Sequence, residues 1–117
     1  MIVHVTVRTA KLKETLDFYQ WLLRLRISRK LNTPTGEIIF LGESETKFEL
    51  IEDTSAEKIN AKGLTIGFAV DDLNEKIAML DDNGIPHSEI SSPIPNVRFA
   101  FFNDLNGCEI QLYEEHK

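Results

Sequence analysis

Cysteine is nearly missing from this 117-residue sequence: there is one, Cys108. A lone cysteine closes no disulfide within the chain and makes no paired-thiol zinc motif. Proline and glycine are sparse, at four and six residues, and no stretch is low in complexity, so the composition gives no sign of disorder. No apolar run approaches the roughly 20 residues that a membrane-spanning helix needs. The N-terminus lacks the charged, then apolar, then small-residue order of a signal peptide. These absences lead us to expect a cytoplasmic protein with no membrane partner. Positive charge is also short, with 13 Lys and Arg against 19 Asp and Glu, for a net charge of −6. Nucleic acid and anionic membranes are recognised through basic patches, so neither is expected as a partner. No Gly-rich phosphate loop and no Ser nucleophile elbow occurs either.

What is present is a pattern that occurs twice. In GLTIGFAVDD, residues 63–72, the bulky Ile66, Phe68 and Val70 alternate with Thr65, Gly67 and Ala69. Period-two alternation is the signature of a half-buried strand. Asp71 or Asp72 then offers a carboxylate to cap the helix that follows. Residues 2–8 do the same at the N-terminus, with Val3, Val5 and Val7 on one face and His4, Thr6 and Arg8 on the other.

Each opening strand leads into a helix. Leu12, Leu16, Tyr19 and Leu23 form one face of a helix over residues 11–23, with Thr9 as its expected cap. Leu73, Ile77 and Leu80 form the inward face of a second helix over residues 73–83, stopped by Gly84. Strands are expected at residues 25–31, 37–41 and 47–52 in the first half, and at residues 87–91, 97–102 and 108–113 in the second. NTPTG (residues 32–36), SSPIP (residues 91–95) and NDLNG (residues 103–107) supply turn and breaker signals. The polar residues 53–62 read as a linker that could hold a short helical turn. The tail after Tyr113, with Glu114, Glu115 and a disordered His116, is expected to be solvated.

The organisation is therefore one domain of two repeats, residues 1–52 and 63–117, joined by residues 53–62. The fold class is α+β, with two βαβββ units forming a cupped, partly closed mixed sheet. The spacing supports duplication: His4 and Thr65 lie 61 residues apart, and Glu49 and Gln111 lie 62 apart. If the helices cover the bulky faces, the opposite faces make a cleft. Strand parity puts His4, Thr6 and Arg8 there, with Lys47, Glu49 and Ile51, then Thr65, Gly67 and Ala69, then Glu109, Gln111 and Tyr113. Arg98 could line the same pocket. Parity leaves open which face of residues 97–102 points inward, since both are bulky. Glu49, between Phe48 and Leu50, needs a partner if buried. His4, Arg8, Lys47, a metal or a substrate could each serve. With His4 it could also work as an acid–base pair.

HVTV at the start, DFYQWLL, FELIE, AVDDL and the closing NDLNGCEIQLYE, in this order and spacing, resemble the vicinal-oxygen-chelate superfamily over nearly the whole chain. That group contains glyoxalase I, extradiol dioxygenases, fosfomycin-resistance thiol transferases and bleomycin-binding proteins. Leu105 and Asn106 replace the Pro and Asp usual in its closing motif. The resemblance implies four metal-ligand positions, usually His, Glu, His and Glu. His4 and Glu49 match two of them. Thr65 stands where a second His is expected, and Gln111 stands where a Glu is expected. Imidazole and carboxylate suit a catalytic divalent ion. A Gln amide is a weak donor, and a Thr hydroxyl rarely binds zinc or iron unaided. The implied cofactor is thus a loosely held Zn, Ni, Mn or Fe, or none. Three functions follow as expectations. The first is a small-molecule-binding protein with an incomplete metal site. The second is a divalent-metal-dependent glyoxalase-type lyase or dioxygenase using His4, Glu49 and Gln111, with Glu49 as the catalytic group. The third is a protein-partner domain. A homodimer is implied by the resemblance, with clefts built within one chain or across two.

Overall fold

A computed structural model describes residues 1–117. The chain falls into two compact units, Met1–Glu57 and Lys58–Lys117. The class is α+β, and each unit carries its own open mixed sheet.

The first unit runs β1 (His4–Thr9), α1 (Leu12–Leu23), β2 (Ile27–Thr33), β3 (Gly36–Leu41) and β4 (Lys47–Glu52). The strand order is β1-β4-β3-β2, with β1 parallel to β4 and the remaining pairs antiparallel. Alternation in β1 works as the sequence suggests. Val7 and Thr9 are buried, while His4, Thr6 and Arg8 are exposed on the opposite face. The buried face meets α1, where Tyr19 packs edge-on to Phe48 with ring centroids 4.9 Å apart. Leu22, Leu41 and Leu50 are fully enclosed in the same core. Burial of such side chains, at about 1.5–3 kcal/mol each, dominates the stability of a unit this small.

The helix is rotated from its expected face. Leu12, Thr15, Tyr19 and Leu22 are buried, while Leu16 and Leu23 are only half-buried. Thr15 can go inside because its hydroxyl donates to the Lys11 carbonyl and meets the Thr9 hydroxyl. Thr9 does not cap the helix: Lys11 occupies that position without a side-chain cap, and the Thr9 hydroxyl accepts from the Lys11 N–H instead. Arg24 ends α1 in the left-handed conformation, with φ of 54°. The next strand therefore starts at Ile27, two residues later than expected, with a register shift between Ile27 and Arg29. The NTPTG turn contracts to Pro34 and Thr35, because Thr33 and Gly36 already pair across β2 and β3.

The second unit runs β5 (Ile66–Ala69), α2 (Leu73–Asp82), β6 (Val97–Asn103) and β7 (Glu109–Glu115), with strand order β5-β7-β6. Asp72 caps α2, its carboxylate accepting from the Glu75 N–H. Buried Leu73 and Leu80 on α2, and Ile110 and Leu112 on β7, form the core. Lys76 rather than Ile77 takes the third buried helical position. Its aliphatic stem covers apolar surface while its ammonium reaches Glu75 at 3.2 Å.

Three expectations need correction here. Residues 87–91 do not form a strand. They touch β6 through isolated bridges at His87 and Ser91 only. The Ser88 N–H bonds to Phe101 and the Ser91 N–H to Phe99, so three residues oppose two, which is a bulge. The Ser88 hydroxyl then accepts from the Phe101 N–H in place of a carbonyl. Residues 53–62 hold no helix; the Asp53 carboxylate closes an Asx turn by accepting from the Ser55 N–H and hydroxyl. The tail is not solvated at Glu114, which is buried inside β7. His116 is tied back as well, its N–H bonding to the Asn96 carbonyl.

The NDLNG hairpin is built around Asp104. Its carboxylate accepts from the Asn106 and Cys108 N–H groups. The Asn106 carbonyl in turn accepts from the Ile59 N–H. Gly107 has φ of 86°, and a Cβ there would lie 2.7 Å from the Ile59 carbonyl oxygen, so only glycine fits.

Candidate functional site

Register decides which side chains share the open face of the first sheet. Arg29, Phe40, Glu49 and Thr6 lie in one cross-strand row, and Leu31, Ile38, Ile51 and Arg8 in the next. His4 sits beside Lys47 at the end of the face. Glu49 is the one buried member, 7% exposed, although the residues around it are half-buried or exposed. It is held there by neighbours of suitable chemistry. The Thr6 hydroxyl donates to Glu49 Oε1, and His4 Nε2 stands 3.4 Å from the same oxygen. Phe40, opposite Glu49, presents an edge contact to the His4 ring at 5.8 Å between centroids. The hydroxyl and the imidazole are the polar partners that a buried carboxylate needs.

The open face of the second sheet repeats the plan with other chemistry. Gln111 is opposite Gly67, as Glu49 is opposite Thr6, and Phe101 is opposite Gln111, as Phe40 is opposite Glu49. The Gln111 side chain lies across the space a Cβ at Gly67 would need, with its oxygen 3.0 Å from that point. Thr65 lies just before β5, and its hydroxyl donates to Glu109 Oε1. Tyr113 is on this face too, stacked parallel to Phe99 at 6.4 Å, with its hydroxyl donating to Glu115.

The sequence-derived residues thus divide clearly. His4, Thr6 and Glu49 come together, and Arg8 shares their face beside Ile51. Thr65, Gln111 and Tyr113 share the face of the second sheet. Arg98 does not join them. It pairs with Glu114 on the helix side of that sheet, its Nε 3.0 Å from Glu114 Oε1, and it reaches Asn74 on α2. Parity therefore resolves in β6: Phe99 and Phe101 are on the open face, while Arg98, Ala100 and Phe102 are on the helix side. Phe40 and Phe101 were absent from the expected site. Their register opposite Glu49 and Gln111 follows from pairing, which alternation within one strand does not reveal.

Glu114 is the most strongly perturbed acid. The Arg98 guanidinium and then the Leu73 N–H hold its carboxyl down at about 2, from an ordinary 4.5. Cys108 is moved the other way: burial raises its thiol to about 11, so no reactive thiolate forms near neutrality.

The four implied ligand positions carry different donors in the two units. His4 Nε2 and Glu49 Oε1 stand as far apart as two ligands on one tetrahedral ion with bonds of about 2.0–2.2 Å. The matching positions of the second unit carry a hydroxyl already bonded to Glu109 and a neutral amide. Nowhere do three or more His, Cys, Asp and Glu side chains gather in a way that could hold a metal.

The family model of the glyoxalase/bleomycin resistance protein/dioxygenase superfamily matches residues 1–112. The chain belongs to this superfamily. No curated protein matches it. Among solved structures, this glyoxalase-superfamily chain resembles glyoxalase I of Leishmania major, described as trypanothione-dependent, with TM-score 0.78 and 22% identity over 98% of this chain and 86% of that one. It resembles TnmS3, an antibiotic binding protein from Streptomyces sp., with TM-score 0.76 and 18% identity over 99% and 96%. It also resembles a mutant fosfomycin resistance protein of Listeria monocytogenes complexed with manganese(II) and a dihydroxypropylphosphonic acid, with TM-score 0.78 and 13% identity over 99% and 90%. At these identities the likeness is one of fold. No helix is long and apolar enough to cross a membrane.

Proposed function

We propose that this glyoxalase-superfamily protein binds a small molecule and carries an incomplete metal site. One observation carries the reading. Glu49 is buried with Thr6 and His4 as its partners, while the second unit offers only Thr65 and Gln111 at the matching positions. The ligand-contacting side chains are His4, Thr6, Arg8 and Glu49 in the first unit and Thr65, Gln111 and Tyr113 in the second. Phe40, Ile38 and Ile51 supply apolar contact beside the carboxylate. The likeness to TnmS3 supports this reading. A homodimer in the cytoplasm is part of the same proposal.

The second reading is a divalent-metal lyase or dioxygenase using His4, Glu49 and Gln111. The 3.4 Å spacing of His4 and Glu49 favours it. Elemental analysis of protein purified without chelator separates the two. We expect metal well below one ion per chain. Stoichiometric zinc, nickel, manganese or iron that disappears in Glu49→Ala would establish the enzyme reading instead. Calorimetric screening of small molecules then tests binding itself. Glu49→Gln should weaken a hit on the order of tenfold to a hundredfold, the effect of losing a hydrogen bond to a charged group. A screen whose hits ignore both Glu49 and Gln111 would leave the partner-domain function standing in its place.

A further inference from the structure

The segment that replaces the missing strand is held by one side chain with an unusual set of partners. His87 is half-buried, with 19% of its side chain exposed. Its Nδ1 is 2.6 Å from the Ser88 carbonyl oxygen, and its Nε2 is 2.7 Å from Asp81 Oδ1. Neither a carbonyl nor a carboxylate oxygen carries a proton to give. Both ring nitrogens must therefore donate, and only the imidazolium carries a hydrogen on each. Asp81 lies in the last turn of α2, where the helix end also favours a cation.

We propose that His87 is an acid-side latch that clamps the bulged segment at residues 86–91 between the end of α2 and the outer edge of β6. The latch closes when His87 is protonated and loosens when it is neutral. The neutral ring can keep one of its two bonds, and the nitrogen left bare then faces a lone pair. The segment has little else to hold it: bridges at His87 and Ser91, and the exchange between Ser88 and Phe101. It walls a hollow of about 210 Å³ together with Phe101, Phe102, Asn103 and Glu109. The charged groups that the structure sets against His87 are acids: Asp81 at the end of α2 bonds to it, and Glu109 from β7 lines the same hollow. None opposes protonation. The direction of the shift agrees, with the Ser88 carbonyl and then Asp81 raising His87 above its ordinary 6.5. Loosening would bare the β6 edge beside Phe99 and Phe101 as pH rises.

The test is a proton NMR titration of the full chain with amide hydrogen exchange across the same pH range. We expect His87 to titrate above 6.5. Protection at the Ser88, Ser91 and Phe101 amides should fall several-fold as pH passes that point, after correction for intrinsic exchange. In Asp81→Asn the Asn amide can donate to a bare Nε2, so the neutral ring keeps both partners. That variant should titrate lower and show flat protection. A His87 that titrates at or below 6.5 in the wild type would overturn the latch, whether or not Asp81→Asn folds. So would a protection profile in Asp81→Asn that parallels the wild type.

Discussion

Two buried carboxylates, one on the last strand of each unit, do different work. Glu49 faces outward to the open sheet, and Glu114 faces inward to a helix. Glu114 Oε2 takes the Leu73 N–H at 2.7 Å, and Oε1 takes Arg98 and His116. Its folded value of about 2 lies below its ordinary 4.5, so its stabilisation is complete above about pH 5 and is lost as pH falls through 2. The shift corresponds to about 3 kcal/mol at neutral pH. Glu114→Ala should lose roughly that much in urea unfolding at pH 7, with the difference from wild type shrinking toward zero near pH 2. An equal loss at both pH values would remove the charge argument. Sequence reading missed this residue because EEHK looks like any polar tail. The burial of Glu114 depends on Arg98, 16 residues earlier and directly across the ladder.

At the scale of elements, caps and turns decide where the pattern holds. Asp72 satisfies the first turn of α2, while α1 starts with no side-chain cap. Asp72→Ala should therefore cost about 1 kcal/mol by thermal or urea denaturation. Lys11→Ala should cost close to nothing by the same measurement. Gly107→Ala meets both a positive φ and the Ile59 carbonyl, and should cost about 1–3 kcal/mol with loss of the Ile59–Asn106 bond. A variant as stable as wild type would mean the hairpin is free of that carbonyl. Alternation was enough to find β1, β4 and β7 and to assign the faces of His4, Glu49 and Gln111. It could not find the bulge at Ser88, where a hydroxyl substitutes for a backbone acceptor. It also could not set the rotation of α1, where buried Thr15 is polar by type and apolar by position.

At the scale of the whole chain, the doubling is visible in register more than in residue identity. The Thr6–Glu49–Phe40 row and the Gly67–Gln111–Phe101 row occupy the same ladder positions with unlike side chains. Chain separation of 61 and 62 residues made that legible, because strand parity survives substitution. The metal question was legible only as a donor count. The proposed homodimer should give a sedimentation-equilibrium mass near twice the 13.4 kDa of one chain. A single-chain mass at micromolar concentration would rule it out there. Whatever the assembly, one margin of the first unit is guarded. β2 is the outermost strand of its sheet, and Ser28, Arg29 and Lys30 along it are all exposed. A foreign strand that tried to zip onto this rim would have to strip water from Arg29 and from the exposed Lys30–Glu37 pair, so the rim resists fibril-like growth. Neutralising Arg29 and Lys30 together should make the protein clump on mild heating, long before its core gives way.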